Sequence, residues 1–352
     1  MSRFLTQKYD ALSPYTPGEQ PKERKYIKLN TNESPFPPSK KAIELARAEA
    51  ERLMLYSDPE CKGLCEAIAK SYGVECENVI ATNGSDEVLN FAFMAYCDSL
   101  HPAVFADITY GFYKVFAAVN GLPTKVIPLK EDFTIDINDY INESGTVFIA
   151  NPNAPTGIVL STSQIEKIVA SNPDRIVVID EAYVDFGAES CIPLTKKYDN
   201  LLVCATFSKS RSMAGARLGF GIASKDIIND LTRIRYSTNP YNVNRMTMAA
   251  GIGALEDEEY FRENCKKIIE NREWTMAHLK ALGFEFTDSK ANFIFAKCDK
   301  IDGKELYLKL KDSGILVRHF DAPRISEYNR ITVGNIEEMK ALVDKITEIL
   351  EK

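Results

Sequence analysis

Lys209 and Arg217 are the residues of this chain best placed to do chemistry. They lie eight positions apart (217 − 209 = 8) in Thr206-Phe207-Ser208-Lys209 and Gly215-Ala216-Arg217-Leu218-Gly219-Phe220, a Gly-rich turn after the apolar run Leu201–Ala205. A lysine amine at the carboxyl end of a strand condenses with an aldehyde, and a nearby arginine clamps a phosphate with its two-pronged guanidinium. An aldehyde bearing a phosphate needs both anchors, and pyridoxal phosphate (PLP) is such a cofactor.

Other apolar runs also end in polar clusters. After Asn78–Ala81 comes Thr82-Asn83-Gly84-Ser85-Asp86-Glu87, which opens a helix whose free N–H groups and dipole favour an anion. An ordinary N-cap by Asn83 or Ser85 is the plainer reading of that cluster. After Thr146–Ala150 comes Asn151-Pro152-Asn153-Ala154-Pro155-Thr156-Gly157, explicable as turn punctuation alone. After Arg175–Ile179 comes Asp180-Glu181-Ala182-Tyr183. A carboxylate directly after Ile-Val-Val-Ile is dehydrated, which is costly without a cation. A protonated pyridine nitrogen is one such cation, and a structural arginine is the competing partner. Tyr183, three residues on, is placed to donate to the ring's phenolic oxygen.

The elements that must position these residues follow from the hydrophobic pattern. Asn78–Ala81, Ala103–Ala106, Lys125–Pro128, Thr146–Ala150, Arg175–Ile179, Leu201–Ala205 and Leu218–Ala223 read as strands. Helical patterns such as Ser85–Leu100, Tyr110–Asn120 and Ser163–Ala170 lie between them. That alternation predicts an α/β fold with a mostly parallel seven-stranded sheet between helices, and open sheets of this kind bind ligands beyond the carboxyl ends of their strands. From about Asn239 the rhythm changes to long helices (Val243–Leu255, Glu258–Leu282), then to a shorter α+β set. That set is Asn292–Ala296, Gly303–Ser313, Ile315–Arg318, Arg330–Val333 and Ile336–Leu350. The expected division is an N-terminal arm (1–30), a large domain (31–245) and a small C-terminal domain (246–352). The arm, with Pro14, Pro17, Gly18 and Pro21, reads as either disordered or wrapped over a neighbouring body.

Bulk properties exclude several classes. A chain of 352 residues exceeds what one hydrophobic core serves. A formal charge of −7 argues against nucleic acid as a partner, and no apolar run approaches a membrane span. The N-terminus lacks the apolar core of a signal peptide, so a cytoplasmic location is expected. The eight cysteines form no paired C-x-x-C set, and Cys61 and Cys65 have no histidine nearby, so no metal site is expected. In a reducing compartment these thiols are small buried hydrophobes.

Taken together, the clusters from Asn30 to Gly334 resemble the fold-type I PLP-dependent aminotransferases. The resemblance implies that Lys209 carries the cofactor and that Arg217, Ser208, Ser85 and Asp86 hold its phosphate. It also implies that Asp180 meets the pyridine nitrogen, Tyr183 the ring oxygen, and that Tyr110 stacks on the ring. Where that family has asparagine before Pro-Thr-Gly this chain has Ala154, so either Asn153 replaces the lost ring-oxygen contact through a small shift of the turn or Tyr183 carries that contact alone.

Leu12-Ser13-Pro14-Tyr15-Thr16-Pro17-Gly18, Leu29-Asn30-Thr31-Asn32-Glu33-Ser34-Pro35 and Leu55-Tyr56-Ser57-Asp58-Pro59 resemble the histidinol-phosphate aminotransferase branch. Leu55 and Ser57 depart from its pattern. Asn239-Pro240-Tyr241-Asn242-Val243-Asn244 and Arg330-Ile331-Thr332-Val333-Gly334 fit as well. The resemblance implies a homodimer in which Tyr56 reaches the partner's site. It also implies a small-molecule amino donor and a 2-oxo acid as substrates, met by Tyr15, Asn32, Arg318 and Arg330. Transamination of aromatic amino acids, decarboxylation of O-phospho-threonine and a non-enzymatic ligand sensor are the rival readings.

Overall fold

The computed structural model describes residues 2–10, 12–13 and 15–351, so Pro14 of the arm motif lies outside the described residues. One sheet has the strand order Val79–Thr82, Gly219–Ile222, Leu201–Thr206, Val177–Asp180, Thr146–Ala150, Ala103–Ala106, Thr124–Ile127. Its pairings are parallel from Leu201–Thr206 across to Thr124–Ile127. Gly219–Ile222 runs antiparallel to both neighbours. The mostly parallel seven-stranded sheet expected from the sequence is present.

These strands are apolar on both faces because helices cover both. With a side-chain period of two, Val147, Ile149, Val177, Ile179 and Val203 enter one core, while Phe148, Val178, Leu202 and Cys204 enter the other. Stacked rings fill the second core, with Phe93 and Phe148 centroids 4.0 Å apart.

A smaller antiparallel sheet follows, in the order Arg318–His319, Asn329–Thr332, Phe293–Cys298, Phe284–Phe286. Phe293, Leu306, Ile331 and Leu342 belong to its core, which the helices Gly303–Asp312 and Ile336–Leu350 help to build. The Ile315–Arg318 segment of the expected α+β set is two strands with different partners. Ile315–Leu316 pairs in parallel with Ile27–Lys28, whereas Arg318–His319 pairs with Asn329–Thr332. An apolar run records burial but not which neighbour receives its hydrogen bonds. The N-terminal segment therefore lies on the chain's own C-terminal part. Arg318 donates to the carbonyls of Thr16 and Pro17, and Asn30 Nδ2 donates to that of Glu19.

Behind the Lys209 turn, the helices Lys40–Ala50 and Arg245–Glu256 pack closely, joined at one end by Arg245 Nε to Glu49 Oε2 at 2.8 Å. The second helix buttresses the turn, because Thr247 Oγ1 donates to the Ala216 carbonyl at 2.9 Å. Gly253 permits the approach: a Cβ there would stand 2.8 Å from the backbone N and Cα of Ala42. Helix propensity alone would make Gly253→Ala stabilising by about 1 kcal/mol. Overpacking against backbone costs about 1–3 kcal/mol and wins. Gly253→Ala is therefore expected to lower the urea midpoint, and Gly253→Val to lower it further; a raised midpoint for the alanine variant would show that the helices part freely.

Candidate active site

The carboxyl ends of the central strands open onto a cavity of about 320 Å³ whose walls include Ser85, Asp86, Asp180, Ser208, Lys209 and Arg217. A second cavity of about 480 Å³ adjoins it, with Asn32, Arg318 and Arg330 in its lining. Thr31, Tyr110, Ala154, Tyr183 and Lys209 line both. The lysine amine thus stands where the two spaces meet, donating to the Thr31 carbonyl at 3.3 Å and lying 5.7 Å from the Tyr183 ring centroid.

One end of the first cavity is built for an anion. Gly84, at φ +83°, leads into the helix Ser85–Tyr96, whose start no side chain caps. A Cβ at Gly84 would stand 2.8 Å from Arg217 Nη2, so glycine suits the backbone angle and leaves the arginine its place. Arg217 donates to Asp86 Oδ2 at 3.3 Å and to Ser208 Oγ at 3.5 Å. These bonds are long, and the Arg217 side chain is 49% exposed, so the ion pair is worth little. A bidentate phosphate, with stronger charge-assisted bonds, competes readily for the same guanidinium. Tyr110 Oη donates to Asp86 Oδ1 at 2.7 Å, fixing the tyrosine beside this end.

The other end is acidic and buried. Asp180 closes the strand Val177–Asp180 and is buried. Its Oδ1 accepts from the Ala182 N–H at 3.2 Å and its Oδ2 from Tyr113 Oη at 3.3 Å, and no cation pairs with it among the described residues. Burial pushes its pKa up to about 7, with the Asp86 charge adding to the rise and the N–H of Ala182, Tyr113 and Lys209 opposing it.

Arg330, on the strand Asn329–Thr332, faces the second cavity. Its guanidinium carbon lies 5.4 Å from the Phe293 ring centroid and 5.7 Å from that of Phe320. Nη2 donates to the Asn30 carbonyl at 3.2 Å, Nε has no partner, and no carboxylate pairs with the group among the described residues. Burial lowers its pKa, as expected of a desolvated cation without a counter-charge. Arg318 and Tyr15 share this cavity, and Tyr15 packs on Phe112 with centroids 4.6 Å apart.

Of the residues singled out in the sequence, Ser85, Asp86, Tyr110, Asp180, Tyr183, Ser208, Lys209 and Arg217 converge on the first cavity. Tyr15, Asn32, Arg318 and Arg330 converge on the second. Asn153 is a correction: it lines neither cavity. Its Oδ1 accepts from Thr109, and its Nδ2 donates to the Ile108 carbonyl and Thr156, so backbone and neighbouring hydroxyls consume the carboxamide. Tyr56 also lines neither; it is 80% exposed and stacks on Tyr241 at 4.6 Å. Sequence reasoning missed Tyr113, which lies in the helix Phe112–Asn120 just after Tyr110. It also missed Thr31 and Thr332, which carry no local signal.

Known proteins match along nearly the whole length. The family model for aminotransferase class I and II covers residues 24–346. A histidinol-phosphate aminotransferase of Brachyspira hyodysenteriae is 51% identical over 355 aligned positions, covering all of both chains. One from a Marinomonas species is 50% identical over 97% of this chain and 98% of its own. Among solved structures, the histidinol-phosphate aminotransferase of Sinorhizobium meliloti in complex with pyridoxal-5′-phosphate superposes with a TM-score of 0.90 at 23% identity, over 100% and 98% of the two chains. The chain belongs to the class I and II aminotransferases, in the branch of the histidinol-phosphate aminotransferases.

Asp180 makes the ligand-free fold pH-sensitive. Its carboxyl ionises at about 7 when folded, against 3.8 in the ordinary case. Raising the pH from about 4 to 7 therefore ionises the unfolded chain first and removes stability; above 7 the effect levels off. Asp180→Asn abolishes that loss, so its stability relative to the parent is expected to rise through this window by on the order of 4 kcal/mol. Urea unfolding of the two ligand-free proteins at a series of pH values measures it. A difference independent of pH would mean that Asp180 is ionised throughout.

Proposed function

We propose that this protein transfers an amino group between L-histidinol phosphate and the 2-oxoglutarate/glutamate pair, using PLP attached at Lys209. The observation that carries the reading is the pairing of an amine shared by two cavities with a buried carboxyl that lacks a cation. A phosphorylated pyridine aldehyde fits these residues: its phosphate suits the uncapped helix start and Arg217, and its ring nitrogen suits Asp180.

When bound, PLP supplies an electron-withdrawing ring that stabilises negative charge at the substrate carbon. Lys209 Nζ would take the proton from that carbon as a base and return one as an acid. Asp180 holds a proton on the ring nitrogen, and a cation opposite it relieves the cost of burying its charge. Arg217, Ser208 and the start of the helix at Ser85 and Asp86 hold the cofactor phosphate. Tyr183 would donate to the ring oxygen, and Tyr110, which lines the same cavity, would pack on the ring.

Histidinol phosphate carries no carboxylate, yet its phosphate and the α-carboxylate of glutamate ask for the same planar donor. Arg330 has its Nε unpaired and faces the second cavity, which supports one anion site for both half-reactions; Arg318 and Tyr15 complete it, and Asn32 lines the same cavity. The names of the relatives at 45–51% identity favour this substrate over aromatic amino acids or O-phospho-threonine.

A homodimer is part of the same reading. Leu53, Met54, Leu55 and Tyr56 form a run of exposed apolar side chains beside the exposed Tyr241, an apolar face of the kind partners cover. Tyr56 then reaches the partner's cofactor phosphate. A cytoplasmic location accords with eight unpaired cysteines and with the lack, among the described residues, of a helix long and apolar enough to cross a membrane.

Lys209→Ala is expected to bind PLP without a borohydride-fixable link and to lose turnover; fixation at another lysine would refute the assignment. Arg330→Ala is expected to raise KM for histidinol phosphate and for glutamate together, by roughly 10–100-fold if a charge-assisted pair is lost. An effect on one substrate alone would refute the shared site. For the substrate itself, kcat/KM for histidinol phosphate should exceed that for phenylalanine.

A further inference from the structure

The wall of the first cavity formed by residues 150–154 presents Ala150, Pro152 and Ala154, and none of these side chains has a polar atom. The two asparagines of that turn face elsewhere. Asn151 exchanges hydrogen bonds with the backbone of Leu160, and Asn153 is consumed as described above. Tyr183 is therefore the hydroxyl available on that side of the cavity, with Lys209 and Arg330 as the nearby cations and Tyr110 as a further phenol.

The Tyr183 oxygen accepts from Asn32 Nδ2 at 3.0 Å. The orientation of that carboxamide is set from behind. Thr332 Oγ1 accepts from the Asn32 backbone N–H at 2.9 Å and donates to Asn32 Oδ1 at 3.0 Å. With Oδ1 engaged as an acceptor, only Nδ2 is left to face Tyr183. Asn32 itself sits at φ +55°, a left-handed conformation that asparagine tolerates better than most residues. It is buried, and its own carbonyl accepts from Asn292.

We infer that Asn32 is a positioning residue which, held by Thr332, makes Tyr183 an obligatory donor into the cavity, replacing the contact that Ala154 cannot make. This rests on the proposed cofactor. Because the tyrosine oxygen already accepts from Asn32, its own proton points away from the carboxamide and toward the ring oxygen of PLP. An alanine at 154 is tolerable because Tyr183 supplies a donor whose direction is fixed. Asn32 thus acts through Tyr183 rather than on the substrate.

The test uses the PLP-loaded enzyme and two readouts besides turnover: cofactor affinity by equilibrium dialysis, and the pH midpoint of the visible band of the bound cofactor. Asn32→Gly removes the carboxamide and suits the positive φ. It is expected to weaken PLP binding by roughly ten-fold, the size of one lost hydrogen bond to a charged acceptor. It should also raise the band's midpoint, because a ring oxygen with a weaker donor is more negative and holds the neighbouring proton more tightly. Tyr183→Phe should give a similar shift, with no further shift on adding Asn32→Gly. Ala154→Asn, which restores a donor on the bare wall, should reverse the defect of Asn32→Gly. Should the glycine variant fail to fold by circular dichroism, Thr332→Val, which frees the carboxamide, is expected to move the midpoint in the same direction. An unmoved midpoint, additive shifts, or no rescue by Ala154→Asn would overturn the inference while leaving the proposed function intact. Loss of the borohydride-fixed link at Lys209 in the parent protein would overturn both.

Discussion

A buried carboxyl without a cation is the constraint on which the site depends. Asp180 ends a strand whose other residues are fully apolar and is itself buried, and among the described residues an N–H and a phenol are its hydrogen-bond donors. Such a group is either protonated or waiting for a positive charge. The arrangement that leaves it in this state is costly to the empty fold and favourable to a ligand with a protonated nitrogen. Binding energy for that ligand is in effect stored as the unmet electrostatic demand of one residue.

The two ends of the first cavity are kept chemically distinct by their exposure. At the anion end, Arg217 is half exposed and held by long bonds, so it gives up its partners at little cost. At the acid end, burial raises the stakes of every charge. Arg330 follows the second pattern in the adjoining cavity, desolvated between two phenylalanine rings with a donor unspent. A half-buried guanidinium with no carboxylate among the described residues is likewise a demand for an anion, though a weaker one than that of the buried Asp180 for a cation.

Close backbone approach links this chemistry to the rest of the chain. Gly84 admits the Arg217 guanidinium, and Gly253 lets the helix Arg245–Glu256 come near enough to Lys40–Ala50 to support the turn through Thr247 and Ala216. The pairing of Ile27–Lys28 with Ile315–Leu316 precedes Asn30, Thr31 and Asn32, which line the space next to Lys209. In this way an N-terminal segment without a clear period of its own becomes a wall of the site.

Strand positions were legible because burial on both faces writes continuous apolar runs, and Thr146–Ala150 lies where its run predicts. Residues carried on strand ends, such as Asp180 and Lys209, were legible for the same reason: a polar residue after an apolar run must face the sheet's edge. Ile315–Arg318, one segment in the sequence, divides between two partners, since hydropathy is blind to the identity of the hydrogen-bonding neighbour. Asn153 looked available because its type and position suit a ring contact. Only the tertiary structure shows its carboxamide spent on Thr109, Ile108 and Thr156. The link from Thr332 through Asn32 to Tyr183 spans 300 positions and is likewise invisible in one dimension. Local order and residue chemistry determined which groups stand at the strand ends; long-range packing decided which of them have hydrogen bonds left to give, because a side chain's capacity is finite and its neighbours claim it first.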